Sequence, residues 1–437
     1  MRISVIGCGY LGAVTAACLA QLGHEVVGVD VDAAKIELLA GARAPFFEPG
    51  LDEILGSATQ TGRLRFSTDI ADVEGAAVHV IAVGTPQRKG ENAADLSYVD
   101  AALEALLPHL GPDDLVVGKS TVPVGTAARL AARLDEAGCG ATLAWNPEFL
   151  REGYAVRDTI SPDRLVYGVA AGEEGVRAAK LLDEVFAEAL AHDTPLIVTD
   201  YATAELVKVS ANAFLATKIS FINAMAEIAE AAGADVTALA DAIGHDTRIG
   251  RRFLNAGIGF GGGCLPKDIR AFTARAEELG RGESIAFLKE VDKINLRRRE
   301  RMVEMVVESL GGTVYQKKVT VLGLAFKPES DDVRDSPALD VAVRLNGLGA
   351  HVVATDPAAI PNSIRLHPQL GFATDTRDAL RGADAVVLVT EWAQYRSLDP
   401  VEVGQLVRDR LILDGRNVLD PQTWRQAGWT YRGMGRP

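Results

Sequence analysis

The densest chemistry in the chain lies in ten residues, Gly259-Phe-Gly-Gly-Gly263-Cys264-Leu-Pro-Lys267-Asp268. Four glycines in five positions leave a backbone that can press against a ligand. Cys264 follows them directly. Pro266 suits the start of a helix and Asp268 its first turn. A helix N-terminus and a neighbouring cation such as Lys267 both favour thiolate over thiol. The stretch therefore reads as a reactive nucleophile. The alternative is a buried, inert cysteine, and an exposing glycine loop weighs against it.

Other chemistry-bearing residues are scattered. Lys208 and Asn212 are four apart in a helical pattern and share a face, which Ile219 and Asn223 continue. Paired N–H donors of this kind can hold an oxyanion; the alternative is a core Asn beside a snorkelling Lys. Asn146-Pro147-Glu148-Phe149-Leu150-Arg151-Glu152 sets two carboxylates four apart at a proline turn. Thr121 lies just after a strand, where a doubly wound sheet faces its ligand crevice. These groups could position a water and take its proton, although surface Glu pairs are usually only solvated. Lys327 and Arg334 flank a strand-to-helix crossing and could meet a phosphate.

Gly7-Cys-Gly9-Tyr-Leu-Gly12 has the spacing GxGxxG, with Asp30 lying 18 residues past Gly12. Gly7 permits the tight turn, Gly9 the approach of a pyrophosphate to a helix N-terminus, and Gly12 close helix–strand packing. Asp30 would accept both ribose hydroxyls and repel a 2′-phosphate. That favours NAD over NADP, and would serve an FAD ribose equally.

The elements that must position these residues are legible in outline. Arg2–Ile6, the Ala-rich Ala13–Leu22 and Glu25–Asp30 read as strand, helix, strand. Val78–Val83 and Leu115–Gly118 add buried strands, separated by helical patterns at Val99–Leu107 and Thr126–Ala137. Such alternation predicts a parallel sheet covered by helices. Ala202–Ala232 contains no Pro or Gly and Gly233 ends it, which predicts a helix about 45 Å long, long enough to run between two domains. After Gly311-Gly312 the pattern resets: Lys318–Leu322, His351–Asp356, Ala385–Val389 and a last strand at Leu411–Asp414, with a helix at Pro337–Leu348. The fold class is α/β: two Rossmann-like doubly wound lobes joined by a long central helix and a helical region. The expected domains are residues 1–200, 201–310 and 311–437.

Composition bounds the partners. The 437 residues are 48% hydrophobic and 24% charged, an ordinary globular balance with room for about three domains. A net charge of -14 repels phosphate backbones and anionic lipid, so neither nucleic acid nor membrane is an expected partner. Four scattered cysteines and seven dispersed histidines show no metal-ligand spacing, which points to a reduced, cytoplasmic chain with no metal. Arg2–Ala20 superficially resembles a leader, but Gly7, Gly9 and Gly12 interrupt it and a second strand follows at once. No run of 18 apolar residues predicts a membrane span.

Taken together, these motifs resemble the UDP-glucose/GDP-mannose dehydrogenase family nearly end to end. The resemblance rests on the glycine turn with Asp30, Val83-Gly84-Thr85-Pro86, Ser120-Thr121-Val-Pro-Val-Gly125 and Pro147-Glu-Phe-Leu-Arg-Glu-Gly153. It continues through Pro162-Asp-Arg-Leu-Val-Tyr-Gly168, Glu205-Leu-Val-Lys208 with Asn212, the cysteine decapeptide, Phe326-Lys327 and Thr390-Glu391-Trp392. Ser330 stands where Thr is usual; Cys8 and Tyr10 are ordinary variants.

The resemblance implies an NAD lobe, a central dimerisation helix and a UDP lobe, with two NAD+ reduced per sugar C6 alcohol taken to the carboxylate. It implies that Cys264 adds to the aldehyde and carries a thioester that water cleaves. Lys208 and Asn212 would stabilise oxyanions, and Asp268 would orient Lys208 or the water. Thr121 with Glu148 or Glu152 would activate water, Glu148 being favoured. The implied NAD contacts are Gly7, Gly9, Tyr10, Leu11, Gly12, Asp30, Lys35, Thr85, Thr121, Glu152, Lys267 and Arg334. For the nucleotide sugar they are Glu148, Phe149, Leu150, Arg151, Glu152, Lys208, Asn212, Phe253, Leu254, Asn255, Gly257, Gly261 and Lys327. Arg248 would serve the neighbouring subunit of a homodimer. The motifs look most like the UDP-glucose branch, which would yield UDP-glucuronate. The rivals are GDP-mannose or a UDP-N-acetylhexosamine as substrate, a two-electron alcohol dehydrogenase, and a non-catalytic nucleotide-sugar or NAD sensor.

Overall fold

A computed structural model describes residues 1–437. The chain divides into two compact units: Met1–Ala211 with Ala274–Gly282, and Asn212–Thr273 with Glu283–Pro437.

The first unit is built on an eight-stranded sheet. In chain order its strands are β1 (Arg2–Ile6), β2 (Glu25–Val29), β3 (Leu64–Ser67), β4 (Val78–Ile81), β5 (Leu115–Gly118), β6 (Thr142–Trp145), β7 (Leu165–Val169) and β8 (Leu196–Thr199). The spatial order is β3-β2-β1-β4-β5-β6-β7-β8. β4, β5, β6 and β7 are buried at every residue, as strands covered on both faces must be. The period-2 alternation splits the core: Ile3 and Val5 join one apolar layer with the first helix (Tyr10–Gln21), and Ile6 the opposite layer. The sheet is not wholly parallel as expected, because β7 runs antiparallel to β6. Between them lie only a loop and the short helix Ala155–Ile160. An antiparallel neighbour needs no helical crossover, which frees this connection to carry the Pro147–Gly153 loop.

The second unit holds a six-stranded parallel sheet. Its strands are β9 (Lys318–Leu322), β10 (His351–Thr355), β11 (Gly371–Phe372), β12 (Ala385–Leu388), β13 (Leu411–Asp414) and β14 (Thr430–Gly433), in the order β11-β10-β9-β12-β13-β14. Leu411–Asp414 is therefore not the last strand. β14, Thr-Tyr-Arg-Gly, lies at the sheet edge and is only half apolar, which hides it from a search for buried runs. Both sheets step outward from their first strand in the same way, so the two lobes share a topology with a switch point beside β1 and β9.

The long helix runs Tyr201–Ala232, 32 residues or about 48 Å, and the boundary between the units falls within it. Gly233, at φ 71°, ends it. No helix is long and apolar enough to cross a membrane.

Candidate functional site

In the first unit, β1 delivers the chain to Gly7 at φ 89°. A Cβ on Gly12 would lie 1.8 Å from the Gly7 carbonyl oxygen, whereas one on Gly9 would meet nothing within 4 Å. Gly12 is thus required for packing, while Gly9 borders open space at a helix N-terminus that no side chain caps. Asp30 accepts from Cys8 N at 2.8 Å, from Asp32 N at 2.9 Å and from Lys35 Nζ at 2.8 Å. Partial burial pushes its pKa up, but Lys35 and the two N–H groups outweigh this and hold the carboxyl below its ordinary value. Uncapped N–H groups, open space at Gly9 and an ionised Asp30 fit a dinucleotide. Lys35 sits on Asp30, and Leu11 packs into the adjoining core. Tyr10 turns its hydroxyl onto Glu48, where burial, then that bond, raises its pKa far above normal.

On the other side of the switch point, Thr85 Oγ1 donates to the Thr121 carbonyl at 2.8 Å, joining two of the expected residues. Glu148 is held tightly. Its Oε1 accepts from Phe149 N and Leu150 N, both at 2.6 Å, and its Oε2 lies 3.2 Å from Lys119 Nζ. Lys119, itself buried, also donates to Asn146 Oδ1 at 2.9 Å. Two cations lie near the Phe149 ring, Arg164 3.8 Å and Lys208 Nζ 5.7 Å from its centre. The Pro147–Gly153 loop and the buried Lys208 therefore converge. Glu205, one turn before Lys208, accepts from Gly125 N at 2.7 Å and Ala127 N at 2.6 Å, capping the helix that follows the Thr121 loop. Arg151 pairs with Asp158 on the short helix that follows the loop. Leu150 and Glu152 are half-buried.

In the second unit, Cys264 is exposed and directly precedes the helix Leu265–Glu278. Its carbonyl accepts from Asp268 N at 2.9 Å, so the cysteine occupies the N-cap position. Asp268 is 2% exposed. It accepts from Asn212 Nδ2 and from Lys267 Nζ, each at 2.7 Å. The glycine loop serves protein as much as ligand. A Cβ on Gly261 would lie 2.2 Å from the Asp335 carbonyl oxygen, and one on Gly263 2.5 Å from Arg334 Cζ. The loop is threaded between residues of the second lobe, and Arg416 clamps it by donating to Gly259 O at 2.8 Å and Phe326 O at 3.3 Å.

The remaining expected residues also lie in this unit. Arg334 pairs with Asp332 beside Gly263, and Lys327 Nζ lies 5.4 Å from the Phe326 ring centre. Asn223 accepts from Gly257 N at 2.9 Å, so the stripe begun by Asn212 holds the 253–257 segment. Asn255 accepts from Arg251, and Leu254 is buried in a small apolar cluster. Phe253 is exposed and held at φ 66°, a conformation costly for a bulky residue. Arg248 is strongly exposed and paired with Asp246. No group of three His, Cys, Asp or Glu could hold a metal ion.

Sequence reasoning missed Glu48, Lys119, Glu205 and Arg416 as site-building residues. Glu205 stands inside a quoted motif and Lys119 directly precedes another, so adjacency could have flagged them; nothing local marks the other two.

Three family models match the chain in order: the NAD binding domain of the UDP-glucose/GDP-mannose dehydrogenase family over residues 1–189, its central domain over 202–297 and its UDP binding domain over 320–421. A UDP-glucose 6-dehydrogenase of Rhizobium meliloti (strain 1021) is 41% identical over 440 residues, covering 100% of both chains. A solved UDP-glucose dehydrogenase from Pyrobaculum islandicum superposes with a TM-score of 0.90 at 39% identity, covering 100% of this chain and 98% of that one. A UDP-D-ManNAc dehydrogenase from Pyrococcus horikoshii gives 0.86 at 27% identity, covering 100% and 99%.

Proposed function

This chain belongs to the UDP-glucose/GDP-mannose dehydrogenase family, and on that premise we propose that it oxidises UDP-glucose to UDP-glucuronate. NAD+ supplies the chemistry of hydride acceptance, twice per sugar. The observation that carries the reading is Cys264 exposed at a helix N-cap, beside a buried Asp268 held by Asn212 and Lys267. A simple alcohol dehydrogenase or a sensor has no use for such a thiol. The NAD domain and Asp30 support NAD as cofactor.

Each residue then has a task. The Cys264 thiolate attacks the C6 aldehyde carbon, the carbonyl π electrons move to oxygen, and the resulting thiohemiacetal keeps the sugar covalently bound. After loss of its C6 hydride the adduct is a thioester; water adds, the C–S bond breaks, and carboxylate and thiol leave. Lys208 and Asn212 donate to the oxyanions. Thr121 with Glu148 or Glu152 orients the water and accepts its proton. Three donors hold Glu148, which also makes it the loop's anchor. Asp268 orients its neighbours. Lys327 and the 253–257 segment face the nucleotide sugar, and Lys267 and Arg334 the cofactor.

The division into residues 1–200, 201–310 and 311–437, the homodimer and a cytoplasmic setting belong to the same proposal. Phe214, Phe221 and Ile228 recur every seven residues along the long helix and are 66%, 49% and 62% exposed, which supports a partner subunit there. Arg248, exposed, is free of the local core and suits delivery to that partner.

The test is an end-point assay of purified protein with NAD+ and a panel of nucleotide sugars. The reading expects UDP-glucose to be turned over fastest, with two NADH formed per sugar. A preference for GDP-mannose or a UDP-N-acetylhexosamine would move the chain to another branch of the family.

A further inference from the structure

Glu48 lies in Phe46-Phe47-Glu48-Pro49-Gly50, between the helices Ala33–Ala40 and Leu51–Gln60. Its side chain is buried, and three donors from distant parts of the first unit converge on it. Oε2 accepts from Gly153 N at 2.6 Å and from the Tyr10 hydroxyl; Oε1 accepts from Ala155 N at 2.7 Å. Gly153 N also lies 3.3 Å from the Tyr10 oxygen, and the Tyr10 ring contacts Phe46 with centroids 4.7 Å apart.

We propose that Glu48 is a positioning residue that ties the cofactor turn to the loop carrying Glu148 and Glu152. The proposal rests on the dehydrogenase reading above. Tyr10 directly follows Gly9, the residue bordering open space at the helix N-terminus. Gly153 directly follows Glu152. One carboxylate thus fixes the exit of the catalytic loop and the entry of the cofactor helix to each other. Only an ionised carboxylate can accept from all three donors; an amide would turn N–H2 towards another donor. Order at the cofactor turn is thereby transmitted to the loop, and the loop's order to the cofactor turn.

The test uses the whole protein with Glu48→Gln and Tyr10→Phe. NADH binding is followed by its fluorescence, and amide exchange is followed at Gly153 and Ala155 with and without NADH. In the unaltered protein NADH is expected to slow exchange at both amides. In Glu48→Gln exchange is faster and no longer responds to NADH. Its kcat falls by up to about a hundredfold, while KM for UDP-glucose is nearly unchanged. A merely structural staple would lower the melting temperature and leave NADH binding, its exchange response and kcat within about twofold; that result overturns the proposal. Should Glu48→Gln fail to fold, Tyr10→Phe decides. It removes one hydroxyl and is expected to weaken NADH binding and speed exchange at Gly153, and no change in either overturns the proposal. If the unaltered protein oxidises no nucleotide sugar, the dehydrogenase reading fails, while the NADH-binding and exchange measurements still judge Glu48.

Discussion

Asn212 donates to Asp268 at 2.7 Å, linking the long helix to the first turn of the cysteine helix. Both groups are buried; Asp268 has Lys267 as a second partner, while the Asn212 amide relies on Asp268. Asp268→Ala strands the Asn212 amide and should cost about 1–3 kcal/mol of stability. Asp268→Asn keeps the volume and should cost less. Both should lose turnover; denaturant unfolding beside steady-state kinetics separates the two effects.

Cys264→Ala should abolish acid formation and leave UDP-glucose binding nearly intact, because the side chain is exposed and supports no core. Calorimetric titration with UDP-glucose checks the binding. The unaltered protein should yield two NADH per sugar with no free aldehyde. A ratio of one, with aldehyde trapped by hydroxylamine, would sink the thioester route.

Asp30 should impose a preference for NAD, and Lys35, 2.8 Å away, should temper it. Removing the carboxylate by Asp30→Ala leaves the ammonium to meet a 2′-phosphate. At an effective dielectric near 20, such a change of neighbour is worth several kcal/mol as an upper figure, so KM for NADP+ should fall while that for NAD+ rises. Equal use of both cofactors by the unaltered protein would refute this placement.

His79 is fully buried on β4. Its Nδ1 lies 2.8 Å from Ser4 Oγ, and burial, only partly offset by Asp114, holds its pKa below 6.5. The folded protein therefore binds this proton less readily than the unfolded chain does. Stability is complete above pH 6.5 and falls as pH drops from there towards the folded pKa, by up to about 1.4 kcal/mol per pH unit. Urea unfolding at pH 7.5 and 5.5 should show this loss, and His79→Gln should flatten it.

Arg248, if it serves the partner's site, makes a complementation test possible. Arg248→Ala and Cys264→Ala homodimers should each be nearly inactive. Refolded together, half the dimers are mixed and each restores one of two sites, so about a quarter of the activity returns. No recovery would place Arg248 in its own subunit's site.

Much of the protein was legible because the relevant spacing is local. The glycine turn, the two strands around it and Asp30 lie within thirty residues, and their periodicity and steric demands specify one local arrangement. Cys264 with Pro266 likewise marks a helix start whatever packs around it. What the linear chain could not reveal are contacts between residues far apart in it. Glu48 reaches Gly153 across 105 positions, Glu205 reaches Gly125 across 80, and Arg416 reaches Gly259 across 157. Read alone, each is one more charged residue among 104 on a surface-rich chain. Burial makes them decisive, because a charge removed from water must find its partners wherever the fold has placed them. The antiparallel β7 and the edge strand β14 follow the same logic: strand direction and sheet edges are settled by neighbours in space, which periodicity along the chain does not encode.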